Sequence, residues 1–307
     1  MKRRRNSRNI QDTSSEEIYL SETYNKELIK ERIYFGIFKA ATYISVMILV
    51  LILIYIISTG YKVISWQFLT SMWSHRDITK GGIFPAIFGT ILLGIFVSII
   101  SIPMGIAAAI YLNEYAKDNL TNRIIKIAIR NLAGVPSVVY GLFGLAFFVL
   151  ALKLGTSLLA ASLTLACMTL PWIISASEEA LKAVPQSFKD GSYALGATKW
   201  ETIIKVVLPN SLSGMLTGSI LGVSRAIGET APIIIVGATF YMSYMPLSPL
   251  DKFMALPYHL FILATQHSSS YARDYALGTT LVLIAIVFIL NLGVFIARYN
   301  LRKKKLW

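Results

Sequence analysis

Arg225 and Glu229 are the two charged residues of an otherwise uncharged run, Val206–Leu250. An ionisable side chain inside a membrane span costs at least about 2.5–3.5 kcal/mol at mid-depth, so it is read first as functional. Their i, i+4 spacing places both on one helix face, where the carboxylate offsets the guanidinium charge and holds it in position. Pro232 has no N–H, so the Gly228 carbonyl loses its helical partner and the helix is expected to open or kink beside the pair. A guanidinium in a dry pathway presents a planar fork of donors to paired oxygens, which suits a tetrahedral oxyanion. Thr230, Ser219 and Ser224 could add neutral donors. The same residues suit equally well a salt bridge that locks two helices and never meets a ligand. Gly214, Gly218 and Gly222 recur every four residues just before the pair. Small residues at that interval let a second helix approach closely, which turns the pair toward a helical interface or pathway and away from lipid.

The elements that must hold these residues follow from hydropathy. Of 307 residues, 55% are hydrophobic and 15% charged, against about 25% charged in an average soluble domain. Five further runs carry no charge: Ala40–Gly60, Gly81–Asn113, Asn131–Leu152, Leu154–Ser177 and Tyr275–Ala297. A helix crosses a hydrocarbon core of about 30 Å with about 20 apolar residues, so the chain is expected to be an all-α, polytopic membrane protein with about six spans. Backbone polar groups must be satisfied internally in lipid, and the short alternating segments of a β-barrel are absent from the sequence. Pro103, Gly141, Gly144 and Pro232 inside the runs are tolerated by membrane helices. Lys153 and the turn signal Leu154-Gly155-Thr156 separate the third and fourth spans.

Charge orders the connections. Lys and Arg number nine in residues 1–39, four in 117–130, four in 182–205 and five in 298–305, against six on the opposite side. The positive-inside rule puts both termini in the cytoplasm. The same distribution explains the net charge of +13 without nucleic acid. The N-terminal charges are followed by a polar stretch, Ile10–Tyr24, unlike a signal peptide. Residues 1–34 read as a cytoplasmic tail, mobile to about residue 30, in which a helix could begin at Ser21 or Thr23 and lie on the membrane surface. Residues 35–300 form the transmembrane domain, and 301–307 a basic cytoplasmic tail. Cys167 stands alone in an apolar run, and His75, His259 and His267 are scattered, so neither a disulfide nor a metal site is expected.

The longest informative connection is 178–209. Val184-Pro185 stops one segment. Gln186–Leu195 reads as a short helix ending at Gly196, a natural C-cap. Ala197 or Thr198 begins another, expected to run to Pro209. The elements Asp190-Gly191-Ser192-x-x-x-Gly196 and Val206-x-Leu208-Pro209, with Ala194-Leu195-Gly196-Ala197-Thr198-Lys199-Trp200 between them, resemble the EAA loop of bacterial ABC-importer permeases. That resemblance implies a coupling helix seated in a cleft of an ATPase subunit. Asp-Gly-Ser replaces the usual Glu-Ala-Ala, and Gly191 should weaken the helix by about 1 kcal/mol relative to Ala.

The segment Arg225-Ala226-Ile227-Gly228-Glu229-Thr230-Ala231-Pro232 resembles the signature of phosphate ABC-transporter permeases. So do Gly82-Ile83-Phe84-Pro85-Ala86-Ile87-x-Gly89-Thr90 and Ala133–Gly141. The likeness covers roughly residues 35–300 and is nearest to the PstA type. It implies that Arg225 contacts phosphate, with Glu229 and Thr230 as companions, and that ATP acts through Asp190–Trp200. It also implies as partners a PstC-type permease, two ATP-binding subunits and an extracytoplasmic phosphate-binding protein, in a bacterial cytoplasmic membrane. The binding protein would meet loops 61–80 and 241–273, where Trp66, Trp73, Tyr241 and Tyr244 read as anchors at the membrane interface. The chain has no Gly-x-x-x-x-Gly-Lys-Ser/Thr loop, so it is expected to bind no cofactor itself, with ATP–Mg on the partners. Other oxyanions (sulfate, molybdate, tungstate), a secondary transporter using the pair as an ion relay, and a phosphate sensor are the competing readings.

Overall fold

The structure, a computed structural model, describes residues 3–74, 77–242, 244–266, 269 and 271–303. His75, Arg76, His267, Lys2, Lys304 and Lys305 lie outside them. Twelve helices are described: α1 (Arg3–Gly60), α2 (Trp66–Thr70), α3 (Phe84–Ile110), α4 (Leu120–Leu132), α5 (Ser137–Gly144), α6 (Leu158–Lys182), α7 (Gln186–Ala194), α8 (Lys199–Thr202), α9 (Leu208–Ile227), α10 (Ala231–Val236), α11 (Leu256–Thr265) and α12 (Ala272–Lys303). Wide π turns extend α3 through Tyr111–Tyr115 and α5 through Leu145–Ala151, and join α8 to α9 through Ile203–Val207. The expected all-α class holds, with one isolated bridge, Ala238 to Phe253, among the described residues.

Contacts divide the chain into two units, 1–55 and 56–307. The first is one continuous helix from Arg3, so neither Ser21 nor Thr23 begins a separate one. Its side chains from Ile33 onward are largely exposed, as lipid-facing groups would be. In the second unit α6 is the central helix, packed between α3 and α9. Leu158, Leu165, Ile173 and Leu181 place a buried residue on every second turn of α6, the spacing that keeps one face of a helix turned inward.

Among the described residues five helices are long and apolar enough to span: Lys30–Val63, Phe84–Tyr115, Leu158–Lys182, Lys199–Ile227 and Ala272–Gly293. The sixth, expected from Asn131–Leu152, is a bent pair. Leu120–Leu132 and Ser137–Ala151 are two helices bent by 101°. The bend falls at Gly134-Val135-Pro136, where the residue before proline leaves the α region. Pro209 brings a correction. It does not end the helix, because the π turn Ile203–Val207 lengthens the preceding loop of hydrogen bonds, with Leu208 N–H donating to the Ile203 carbonyl. Within the uncharged run Val206–Leu250 the last helix ends at Val236, ahead of the loop expected at 241–273.

The turn at Lys153 and Gly155 holds, with φ of 55° and 66°, a left-handed region that glycine enters freely. Connection 241–273 is not an open loop, since it contains α11 with Phe253, Met254, Ala255 and Leu256 fully buried. Trp73 is buried too, edge-on to His259 at 4.4 Å and to Phe240 at 5.4 Å. It therefore packs this connection against residues 61–83 and does not anchor a membrane interface. Trp66, Tyr241 and Tyr244 remain exposed.

In connection 178–209, α7 ends at Ala194 and Gly196 takes φ of 83°. Thr198 caps α8 through a reciprocal box with Glu201, its Oγ1 accepting from Glu201 N–H at 3.3 Å and Glu201 Oε2 accepting from Thr198 N–H at 3.0 Å. Thr198→Ala is expected to lower the stability of this turn by about 1 kcal/mol. Faster amide exchange at Trp200–Thr202 is the readout, and unchanged exchange would mean the cap contributes nothing.

Candidate functional site

Arg225 sits in the last turn of α9. The helix ends at Gly228, whose N–H donates to the Arg225 carbonyl at 3.1 Å, while Glu229 N–H reaches Ala226 O at 3.1 Å. α10 then restarts after Thr230 with proline in its first turn. The expected opening at Pro232 is thus a full break, and it moves Glu229 out of the helix that carries Arg225. The two are not on one face of one helix, yet they still meet: Arg225 Nε lies 3.7 Å from Glu229 Oε1. That distance exceeds a hydrogen bond.

The guanidinium is held from another side. Its Cζ lies 4.9 Å from the centre of the Trp172 ring on α6, within range of a cation–π contact. The Arg225 side chain is 52% exposed and that of Glu229 18%, so the pair is reachable but not bathed in solvent.

Both open onto a cleft of about 770 Å³ between the α9–α10 break and α12, lined also by Ser224, Thr230, Phe288 and Asn291. Ser224 Oγ donates to Asn291 Oδ1 at 2.9 Å, which leaves the Asn291 amide hydrogens for a ligand. Asn291 escaped the sequence reading. It is the one polar residue in Leu281–Ala297, and its isolation is the signal that could have found it. Ser219, offered above as a donor, is fully buried and does not line this cleft.

The segments flanking the break are held by the other motif residues. Thr90 Oγ1 accepts from Leu256 N–H at 2.9 Å, fixing the start of α11 on α3. A Cβ on Gly141 would lie 2.8 Å from Pro232 Cα, so the missing side chain lets α5 touch α10. Gly214 and Gly218 face Ala180 and Ala176 of α6, where a Cβ on Gly214 would lie 2.8 Å from the Ala180 methyl. Gly222 has ordinary room, 3.5 Å from Ile173.

Residues 190–200 stand at the other end of the same span, about 40 Å from Arg225 by helix rise. Gln186 Nε2 donates to Asp190 Oδ1 at 3.0 Å within α7, and the Ser192 and Thr202 hydroxyls, 2.9 Å apart, brace α7 on α8. Leu195 is 90% exposed and Trp200 61%, an apolar pair directed outward. Gly191 has open space around it, and Ala194, Ala197 and Lys199 complete this surface.

A chain of Bacillus subtilis called probable ABC transporter permease protein YqgI is 30% identical over 86% of this chain and 94% of its own length. A probable phosphate transport system permease protein PstA of Methanocaldococcus jannaschii is 32% identical, covering 84% and 90%. Among solved structures, a bacterial alginate ABC transporter in complex with an alginate-pentasaccharide-bound periplasmic protein matches with a TM-score of 0.63 at 11% identity, covering 88% of this chain and 94% of that one. It supports the fold. Residues 101–306 match the profile described as binding-protein-dependent transport system inner membrane component, and the chain belongs to that family.

Proposed function

We propose that this chain is one permease subunit of an ATP-driven importer for inorganic phosphate, forming the pathway with a second permease of PstC type. Two ATPase subunits would carry ATP–Mg, and an extracytoplasmic phosphate-binding protein would deliver the anion. The chain itself hydrolyses nothing, lies in a bacterial cytoplasmic membrane and has both termini inside. The likeness to a phosphate permease over 84% of the chain supports the substrate. The positive-inside count supports the orientation.

One observation carries the site. Arg225 is neither locked by Glu229, which stands 3.7 Å away, nor sealed in the core; its Cζ sits 4.9 Å from the centre of the Trp172 ring, and its side chain lines the cleft. A salt bridge built only to lock helices would be short, bidentate and buried. Here the guanidinium takes two anion oxygens, Thr230 and Asn291 add neutral donors, and Glu229 keeps the empty cleft from being strongly cationic. Asp190–Trp200 receives the push of the ATPase subunits and passes it to the spans as a rigid-body shift.

The test is uptake of labelled phosphate into vesicles holding the whole complex, with sulfate, molybdate and tungstate as competitors. Uptake that needs ATP and is blocked by phosphate alone fits. Uptake by this chain alone, driven by membrane potential, would replace the proposal with a secondary transporter. Asn291→Leu is expected to raise the KM for phosphate about tenfold or more, as loss of one hydrogen bond to an anion implies. An unchanged KM would remove Asn291 from the site.

A further inference from the structure

The connection that holds α7 and α8 is fastened to a span remote in sequence. Lys189 Nζ of α7 lies 2.7 Å from Glu114 Oε1, with side chains 13% and 6% exposed. Asn113 Nδ2 donates to the same oxygen at 2.7 Å. The next residue, Tyr115, carries Lys199 of α8 over its ring, with Nζ 5.1 Å from the centroid. Two consecutive residues at the end of α3 thus hold the two short helices of the connection, one each.

The pair is hard to explain as plain stability. Withdrawing two charges from water is expensive, and hydrophobic replacement of such pairs is often neutral. What a buried ion pair does well is to fix one register. Glu114 faces α7 because the π turn Tyr111–Tyr115 inserts an extra residue, which rotates everything after it by about 100° relative to an α-helix.

We propose that Glu114 and Lys189, backed by Tyr115 and Lys199, form a strut that makes α3 move with the coupling connection. The inference rests on the reading of 190–200 as the segment pushed by an ATPase. Through α8 and the π turn that follows it, the connection is continuous with α9. Through Glu114 it also grips α3. The cytoplasmic ends of both helices that shape the core are therefore held by one piece. α3 is in turn packed against the substrate end of α9: a Cβ on Gly94 would lie 2.8 Å from Ile227 Cδ1, two residues beyond Arg225. Movement of α3 with α9 keeps this contact, and slippage between them would leave the cleft at Arg225 unmoved when ATP binds. Glu114 and Lys189 are positioning residues and touch no substrate.

The experiment uses the whole complex in proteoliposomes, with Glu114→Gln, Lys189→Gln and the exchanged pair Glu114→Lys with Lys189→Glu. The readout is phosphate moved per ATP hydrolysed, beside assembly and thermal midpoint. A role confined to stability lowers uptake and hydrolysis together and leaves the ratio alone. We expect each single variant to lower the ratio about tenfold and the exchanged pair to recover it to within about threefold. Should the single variants fail to assemble, the ratio in the milder Tyr115→Leu variant decides: a lowered ratio in an assembled complex supports the strut, and a wild-type ratio overturns it. Single variants that keep the wild-type ratio overturn it, as does an exchanged pair as defective as the singles. A wild-type complex that hydrolyses ATP without moving phosphate overturns the functional reading and this inference with it. Variants indistinguishable from a coupled wild type overturn the inference alone.

Discussion

Arg225→Gln should lower phosphate uptake by about 100-fold or more, because hydrogen bonds to a charged group contribute about 1.5–3 kcal/mol each and the fork supplies two. The glutamine keeps much of the length but has one amide donor group and no charge. Folding should hardly change. The side chain is half exposed, and its contact with Glu229 is 3.7 Å, too long to anchor the helix break. Arg225→Lys retains the charge yet loses both the bidentate geometry and the guanidinium carbon that sits 4.9 Å from the centre of the Trp172 ring. It should recover only part of the activity, remaining about tenfold below wild type. Uptake at saturating binding protein, with co-purification of the ATPase subunits as an assembly control, separates the cases. Normal uptake by Arg225→Gln in an assembled complex would end the claim that this guanidinium meets the anion.

The second large effect concerns packing. Gly218→Val should destabilise the protein severely, whereas Gly222→Ala should be neutral or slightly stabilising. The two glycines share one spacing and one helix. At Gly218 a Cβ would run into the Ala176 methyl on α6, so a branched side chain must push α9 away from α6. That interface holds Met215 and Ile173, both fully buried, and overpacking of such a core costs about 1–3 kcal/mol or more. At Gly222 the added atom would sit 3.5 Å from Ile173, an ordinary contact, and replacing a helical glycine by alanine gains about 0.5–1 kcal/mol. Thermal unfolding in detergent, followed by circular dichroism, gives the comparison. Equal midpoints for the two variants would show that the α6–α9 approach is looser than the structure has it.

Much of the architecture is written along the chain itself. Lipid demands about 20 apolar residues per crossing and offers no partner for loose backbone groups, so the apolar runs had to become helices. The turn at Gly155, the stop at Gly196 and a helix start at Ala197 or Thr198 were equally legible, because each depends on one residue and its immediate neighbours. Arg225 and Glu229 announced themselves by charge in an apolar setting.

Folding alone settled how those pieces face one another. Proline signals a lost hydrogen bond without saying how the loss is absorbed: Pro209 by a π turn, Pro136 by a bend of 101°, and Pro232 by a complete break. Hydropathy could not tell the buried Trp73 from the exposed Trp66, since an indole suits a core as well as an interface. Nor could spacing bring Asn291 to Ser224, or Lys189 to a carboxylate 75 residues away. Local chemistry acts over one turn of helix, whereas these contacts exist only once α3, α6, α9 and α12 have packed, and packing is a property of the whole set of helices together.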